Sequence, residues 1–332
     1  MSYLPLLLDS QSTKPFLITV AVILLVLLFI SSIIISFTYT CYKTIFTRPK
    51  KIDDVIVEGD IRLPGGPTYE PHYPTMIKWT KEVRELPHEN VSIKSFDGLT
   101  LRGKYYEYAP GAIIELMMHG YKGCAERDMC GGVQRAFALK RNVLLVDQRA
   151  CGESDGKVIT FGINERRDCL SWVNFIVERY GADSRIILTG ISMGGATVMM
   201  ASAMDLPKNV IGILSDCGFN SAKDIIYKRT AEMHMSPKIV YPFIKLAAKM
   251  YGQFDLDETS AEEAIKECKV PAIFIHGEDD DFVPPEMSRK VYESCPTKKV
   301  LVTVPGAAHG TSYIVDPQRY IDTLANFEKN YN

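Results

Sequence analysis

Residues 185–196, RIILTGISMGGA, decide the fold of this chain. The apolar run 186–188 is typical of a buried strand, and a segment rich in small apolar residues follows the glycines. The pattern Gly190-x-Ser192-x-Gly194 between them therefore predicts a strand, a sharp turn and a helix, with the serine at the apex. A Cβ atom at Gly190 or Gly194 would collide with the neighbouring strand or helix, and this tightness forces the serine outward.

The composition narrows the class of protein. The chain has 332 residues, of which 46% are hydrophobic and 23% are charged, which suits one large globular domain with attachments. A net charge of −2 gives no reason to expect a nucleic-acid partner. The eight cysteines form no Cys-x-x-Cys pair and no metal-ligand spacing with histidine, so we expect buried thiols, no metal site and a reducing compartment.

An apolar segment near the N-terminus predicts an anchor in a lipid bilayer. No charged residue occurs between Lys14 and Lys43, and residues 16–37 are long enough to cross the hydrocarbon layer as a helix. A cleaved signal peptide is the alternative. Its apolar region spans only about 7–15 residues and ends at a small-residue cleavage site, and neither feature is found here. We therefore expect an uncleaved transmembrane helix over residues 16–38.

The flanking charges predict the orientation of this helix. Lys43, Arg48, Lys50 and Lys51 follow it, whereas a single lysine precedes it, so the bias in Lys and Arg places the C-terminal side in the cytoplasm. The expected organisation is an N-terminal tail (1–15), the single-pass helix (16–38), a juxtamembrane linker (39–72) and a globular domain (73–332), with an insertion at about 220–267.

The globular part alternates apolar strands with helices. Strands that are apolar throughout indicate a mostly parallel sheet covered by helices on both faces, so the fold class is α/β. Ligands of such sheets bind outside the carboxyl ends of the strands. The loops that carry reactive residues all follow a predicted strand end, namely Met118, Asp147, Thr189, Leu214, Ile275 and Val304.

A serine hydroxyl becomes a nucleophile only with a base beside it, and histidine is the usual base. The chain has six histidines. His119 and His276 each precede a glycine directly after a strand, where the imidazole is expected to satisfy local backbone groups. His309 follows the last strand between small residues, and it fits the chain order serine, acid, histidine.

The acid that orients His309 is expected in the loop 276–284, HGEDDDFVP, after the preceding strand. Most of its four carboxylates must be solvated, because adjacent carboxylates cannot all be buried. Periodicity does not choose between Asp279, Asp280 and Asp281.

Two backbone N–H groups are needed to stabilise the negative charge that develops on a substrate carbonyl oxygen. The N–H of Met193, directly after the serine, lies at a predicted helix N-terminus. The second is expected from the loop after Met118, where Tyr121 is the candidate, because glycines at 120 and 123 allow a close approach.

These loops together resemble the α/β-hydrolase superfamily, in particular bacterial serine hydrolases described as esterase/lipase-like or serine-aminopeptidase-like. The resemblance covers roughly residues 91–331 and rests on Gly190-x-Ser192-x-Gly194, His119-Gly120-Tyr121-x-Gly123, Asp147-x-Arg149-x-x-Gly152-x-Ser154, His276-Gly277-x-x-Asp280-x-x-Val283-Pro284 and His309-Gly310. It implies the α/β-hydrolase fold, Asp280 as the acid, and Tyr121 and Met193 as the oxyanion donors. Ala150 stands where the family commonly has glycine, a departure that costs little if its φ is negative.

The expected function is that of a membrane-anchored serine hydrolase. Ser192, His309 and Asp280 would cleave an ester or thioester of a small or acyl-chain substrate through an acyl-enzyme, with no metal or organic cofactor. Alternatives are a peptidase similar to serine aminopeptidases, a thioesterase similar to protein depalmitoylases, and a non-catalytic scaffold, against which the intact triad argues.

The insertion at 220–267 is much longer than a usual connection between a strand and a helix. It is apolar and rich in methionine, which is typical of a lid over an active site, and a lid would imply an apolar acyl or aromatic group in the substrate. A helical hairpin packed on the domain is the alternative.

Overall fold

The computed structural model describes residues 10–48 and 54–331. The strands are β1 (Asp54–Glu58), β2 (Ile61–Pro64), β3 (Glu89–Lys94), β4 (Thr100–Tyr106), β5 (Ile114–Met118), β6 (Asn142–Val146), β7 (Ile186–Ile191), β8 (Val210–Asp216), β9 (Ala272–Gly277) and β10 (Lys299–Val304). The α-helices are α1 (Ser10–Cys41), α2 (Tyr73–Glu85), α3 (Ala125–Asp128), α4 (Gly132–Ala138), α5 (Glu165–Tyr180), α6 (Met193–Ala201), α7 (Ala222–Glu232), α8 (Pro237–Ala247), α9 (Ala261–Ala264), α10 (Pro285–Ser294), α11 (Ser312–Val315) and α12 (Pro317–Tyr331).

An eight-stranded sheet positions the loops of the site. Its strand order is β10-β9-β8-β7-β5-β6-β4-β3. The strands from β10 to β6 run parallel, whereas β4 pairs with β6 and with β3 in antiparallel fashion. The carboxyl ends of β7, β8, β9 and β10 consequently meet at one edge of the sheet.

Helices cover both faces of this sheet. Every residue of β5 and β6 is buried, which requires a layer on each side. One core contains α5 and α6, with the fully buried Trp172 at its centre, and further apolar clusters lie under α4 and under α12. The predicted α/β-hydrolase fold, a mostly parallel sheet between helices, is therefore confirmed.

Glu115 is the one charged residue in the apolar strand β5, and the structure gives it two buried partners. The guanidinium groups of Arg135 and Arg141 bind its two carboxylate oxygens, and Thr189 donates a further hydrogen bond of 3.1 Å. Burial opposes the ionisation of Glu115, but the two guanidinium groups outweigh it and lower the pKa of the carboxyl. This ion pair ties β5 to the chain around α4.

The N-terminal helix α1 leaves the domain along most of its length. Its residues 14–37 are exposed, and residues 14–46 form a helix that is long and apolar enough to cross a membrane. The segment 39–72, expected to be a linker, contains a helical turn at Tyr42–Phe46 and the antiparallel β1–β2 hairpin. Lys50 and Lys51 lie outside the described residues, as does most of the predicted tail.

The insertion after β8 consists mainly of helices. The helices α7 and α8 pack against each other, and α8 also packs against the C-terminal part of α1. A π-helical turn follows at Ala248–Gly252, and α9 begins at a capping box, where the Ser260 hydroxyl accepts from the N–H of Glu263.

The buried ion pair predicts that Glu115 contributes far more to the free energy of unfolding than an exposed glutamate does. Glu115→Gln removes the anion that lies between two guanidinium groups and should lower the free energy of unfolding by about 3–5 kcal/mol. Glu89, whose bridge to Arg179 is about half exposed, is the matched control, and Glu89→Gln should cost less than about 1 kcal/mol. Urea unfolding in detergent micelles, followed by tryptophan fluorescence, measures both, and equal losses would contradict this interpretation.

Candidate active site

Ser192 lies at the apex of the turn between β7 and α6, with φ 54° and ψ −118°. This backbone conformation is uncommon for a residue with a side chain, and it is found where the surrounding structure enforces it. A Cβ atom at Gly190 would lie 2.1 Å from the carbonyl oxygen of Gly194, and one at Gly194 would lie 2.0 Å from that of Met118. The turn therefore has the close packing expected of a nucleophile elbow.

A chain of hydrogen bonds leads from this serine to a buried carboxylate. The Nε2 atom of His309 lies 2.9 Å from Oγ of Ser192, and its Nδ1 atom lies 2.7 Å from Oδ2 of Asp280. With Nδ1 donating to the carboxylate, Nε2 is free to accept the serine hydroxyl proton. The three residues come from the loops after β7, β9 and β10, as expected from the carboxyl edge of the sheet.

The structure distinguishes the three neighbouring aspartates. Asp280 is buried and bonded to His309, whereas Asp279 and Asp281 are exposed. The Oδ1 atom of Asp280 accepts the N–H groups of Phe282 at 3.0 Å and Val283 at 2.8 Å. Its orientation is therefore set by the loop backbone.

The charge of Asp280 is stabilised by two histidines. Burial opposes ionisation, but hydrogen bonds from His276 and His309 outweigh it and lower the pKa of the carboxyl to about 2. Nε2 of His276 lies 3.2 Å from Oδ2 of Asp280 and 2.8 Å from the carbonyl oxygen of Val283. His276 thus does more than satisfy backbone groups, because it also holds the carboxylate that faces His309. The sequence contains no signal for this second role.

His119 has the structural role expected of it. Its Nε2 atom accepts the N–H of Gln148 at 3.0 Å, so Nδ1 carries the proton and donates to the carbonyl oxygen of Gly120 at 2.7 Å. The ring is fully buried. It joins the loop after β5 to the loop after β6.

Of the two expected oxyanion donors, Met193 directly follows the serine, and Tyr121 lines the same cavity as the serine. Met193 begins α6, so its N–H belongs to the first helical turn, where N–H groups lack an intrahelical acceptor. Tyr121 follows Gly120, at which a Cβ atom would lie 3.5 Å from Cβ of Ser192. The phenol of Tyr121 donates to the carbonyl oxygen of Ile45 at 2.6 Å, which fastens this loop to the segment after α1.

One cluster near the triad has atoms that a metal ion could use. The Sγ atom of Cys217, a carboxylate oxygen of Asp280 and a ring nitrogen of His309 lie within 4.8 Å of one another. Burial raises the pKa of the Cys217 thiol well above its ordinary value, and a metal requires the thiolate. Because Asp280 and His309 are already bonded to each other, the donor set fits a hydrogen-bond chain better than a metal site.

The backbone of Ala150 differs from the expected one, in which a negative φ would let alanine stand in place of glycine at little cost. Its φ is 60°, in the left-handed region, where a Cβ atom is strained. The tight turn after β6 enforces this conformation, since the N–H of Ala150 donates to the carbonyl oxygen of Asp155 at 2.9 Å. The condition of a negative φ is therefore not met.

A cavity of about 770 Å³ opens beside Ser192. Its volume lies in the range of small-molecule sites. The insertion contributes much of the apolar lining, with Ile225, Ile226, Met233, Met235, Val240 and Ile244, and the end of α1 contributes another part. The insertion therefore lies where a lid would lie.

Comparisons with known proteins agree with this architecture. Residues 116–233 match the family model of the alpha/beta hydrolase fold, and residues 215–309 match that of the serine hydrolases (FSH1). The esterase Pf2001 of Pyrococcus furiosus has a similar structure, with a TM-score of 0.62 and 23% identity over 76% of this chain and 94% of that chain. The chain therefore has the α/β-hydrolase fold, and these two segments match hydrolase families, as its motifs predict.

Curated relatives match this chain at low identity and over part of their length. The uncharacterized protein YqkD of Bacillus subtilis is 27% identical over 192 residues, which are 58% of this chain and 63% of that protein. An uncharacterized membrane protein of Saccharomyces cerevisiae is 24% identical over 198 residues, 58% of this chain and 62% of that protein. The chain thus spans about three-fifths of the length of these relatives.

The geometry predicts unequal roles for the three aspartates. Asp280→Asn should slow the covalent labelling of Ser192 by a fluorophosphonate roughly 10³- to 10⁴-fold, because His309 loses the anion that holds its tautomer. Asp279→Asn and Asp281→Asn are the matched controls and should label at nearly the wild-type rate. Time-resolved labelling in detergent measures all three, and a similar loss in a control would show that Asp280 has no special role.

Proposed function

We propose that this protein is a membrane-anchored serine hydrolase that cleaves carboxylic esters with an apolar acyl group. The observation that carries the proposal is the continuous hydrogen-bond chain from Asp280 through His309 to Ser192 at the floor of an apolar cavity. The matches to hydrolase families support it.

In the proposed mechanism, His309 removes the hydroxyl proton of Ser192 as Oγ attacks the ester carbonyl carbon. The N–H groups of Met193 and Tyr121 stabilise the oxyanion of the tetrahedral intermediate. His309 then donates the proton to the alcohol oxygen, the C–O bond breaks, and the acyl group remains on Ser192. A water molecule, deprotonated by His309, attacks the acyl-enzyme and releases the carboxylic acid.

The role proposed for Asp280 is electrostatic. Its carboxylate stabilises the imidazolium that forms on His309 in each half-reaction, and it keeps the ring in the productive tautomer. With a pKa of about 2, Asp280 is ionised at neutral pH. No step requires it to accept a proton.

The lining of the cavity favours an acyl ester over a peptide. A peptidase could use the acidic loop 276–284 to bind the amino-terminal cation of its substrate, but Asp280 is engaged with the two histidines, and Glu278 accepts a hydrogen bond of 2.6 Å from Thr303 at the surface. The cavity is lined mainly by apolar side chains. A thioester with the same acyl group would fit the same lining.

The anchor is proposed from the exposure of α1. Apolar side chains over residues 14–37 project from the domain, and a segment of this length and hydropathy is stable as an exposed helix only in lipid. Lys43 and Arg48 follow the apolar run 16–37, and Lys14 precedes it. We place the catalytic domain in the cytoplasm on this charge bias.

Ser192→Ala should lower the hydrolysis of 4-nitrophenyl butyrate by roughly 10⁶-fold, since the nucleophile of the acyl-transfer step is lost. Ser171, whose hydroxyl donates to the carbonyl oxygen of Arg167 within α5, provides the control, and Ser171→Ala should retain wild-type turnover. Absorbance of released nitrophenol measures both. Wild-type turnover by Ser192→Ala would rule out the proposed nucleophile.

The orientation is tested at Asp183, an exposed residue between α5 and β7. Asp183→Cys should react with a membrane-impermeant maleimide only after the cells are permeabilised, because the domain faces the cytoplasm. The parent chain corrects for labelling of native cysteines. Equal labelling in intact and permeabilised cells would place the domain outside.

A further inference from the structure

The last turns of α1 are part of the globular domain. Thr38 and Cys41 are buried, in contrast to residues 14–37, and the end of α1 packs against α8. The rings of Phe37 and Phe243 meet edge to face with centroids 5.3 Å apart. The helix therefore enters the domain directly, without a flexible spacer.

Hydrogen bonds fix the residues that follow α1. The carbonyl oxygen of Phe46 accepts the N–H of Ile159 at 2.7 Å, and the guanidinium of Arg48 donates to the carbonyl oxygen of Gly152 at 2.7 Å. The fully buried ring of Phe46 lies against Phe161, with centroids 5.9 Å apart. The anchor and the catalytic domain are thus connected rigidly.

The same segment forms one wall of the cavity that contains Ser192. Its contribution consists of Phe37, Thr40, Cys41, Thr44 and Ile45, which recur at helical spacing and share one face. From residue 37 to residue 44 this wall extends roughly 10 Å along the helix axis. The predicted membrane span ends at residue 38, so the wall begins at the level where the helix leaves the bilayer.

The insertion exposes apolar side chains near the point where α1 leaves the predicted membrane span. Met233, Ile239, Leu246 and Met250 are 66%, 67%, 39% and 52% exposed. Met233 directly follows α7, Ile239 and Leu246 lie on α8, which packs against α1, and Met250 lies in the turn after α8. Exposed Lys238 and Lys249 are adjacent in sequence to Ile239 and Met250, and exposed Lys43 lies in the turn directly after α1. Apolar side chains surrounded by cations are typical of a surface that lies on a lipid headgroup layer.

The charged side chains that line the cavity are Lys122, Arg127 and Arg229. Each already has a partner: Lys122 donates to a backbone carbonyl oxygen of the segment after α1, Arg127 pairs with Asp128, and Arg229 pairs with Glu232. Ammonium and guanidinium groups have several N–H donors and bind phosphate strongly, so these side chains suit a phosphate-bearing headgroup. An S-acylated protein offers no such group at its scissile bond. The lining therefore favours a phospholipid over a lipidated protein.

We propose that the substrate is an acyl ester of a membrane phospholipid, whose acyl chain passes from the bilayer into the cavity along the end of α1. This inference rests on the proposed serine hydrolase activity and on the membrane anchor. The end of α1 then serves both as the anchor and as one side of the acyl-binding site. Ser192 meets the ester carbonyl at the inner end of the path, and the headgroup stays towards the basic side chains.

The test uses the full chain reconstituted in phosphatidylcholine vesicles that contain phosphatidylglycerol with a radiolabelled acyl chain. Release of the labelled fatty acid and hydrolysis of 4-nitrophenyl acetate are measured in parallel. Thr40→Trp narrows the cavity at the wall formed by α1. It should lower the ratio of lipid to acetate turnover at least tenfold. Ile35→Trp, on the exposed part of α1, should keep the wild-type ratio.

Met233→Glu provides a second variant that leaves the packing intact, because Met233 is 66% exposed at the edge of the cavity. A charge there should also lower the lipid-to-acetate ratio. Ile56→Glu on β1, which is similarly exposed but does not line the cavity, is its control and should keep the ratio.

Each outcome separates the two proposals. Hydrolysis of the acetate ester without release of fatty acid by the wild type would overturn the phospholipid substrate and leave the serine hydrolase standing. Cleavage of an S-acylated peptide in the same vesicles, with no lipid cleavage, would do the same. Loss of the acetate reaction and of fluorophosphonate labelling in the wild type would overturn the hydrolase itself. An unchanged ratio in Thr40→Trp and Met233→Glu would overturn entry along α1.

Discussion

The site depends on a hydrogen-bond chain that joins three loops distant in sequence. Ser192, Asp280 and His309 meet because β7, β8, β9 and β10 are adjacent parallel strands whose carboxyl ends are in register. Ile191 lies opposite Asp216 on β8, and Gly277 lies opposite Val304 on β10. A shift of one residue in any of these pairs would move a triad residue by about 3.3 Å and break the chain. The buried sheet, held in register by its apolar faces, therefore sets the geometry of the site.

The second constraint is electrostatic. A buried carboxylate is costly unless it is fully bonded, and Asp280 is bonded to two backbone N–H groups and two imidazoles. These partners lower its pKa despite burial, and its fixed charge is what orients His309. The buried carboxylate of Glu115, which has a structural role, is likewise stabilised, in this case by two guanidinium groups. Burial of a charge thus does not by itself distinguish the site from the core.

The elements of the sheet and the elbow were predictable because they depend on local patterns. The apolar strands and the glycines at 190 and 194 carry their constraints within a few residues. The choice of Asp280 among three aspartates was not determined by the residues themselves, because their chemistry is identical and only the folded loop distinguishes them. The left-handed Ala150 and the role of His276 also depend on the folded loops. The docking of the segment after α1 rests on contacts such as that from Tyr121 to Ile45, 76 residues apart, for which the sequence offers no signal.

The proposed reaction transfers an acyl group from the substrate to Ser192. The most direct measurement is mass spectrometry of the peptide that contains Ser192, after rapid acid quenching of the protein during turnover of phosphatidylglycerol vesicles. We expect a fraction of this peptide to carry the mass of one fatty acyl group on Ser192. Fatty acid release with an unmodified Ser192, or with the acyl group on another residue, would contradict the proposed acyl transfer to Ser192.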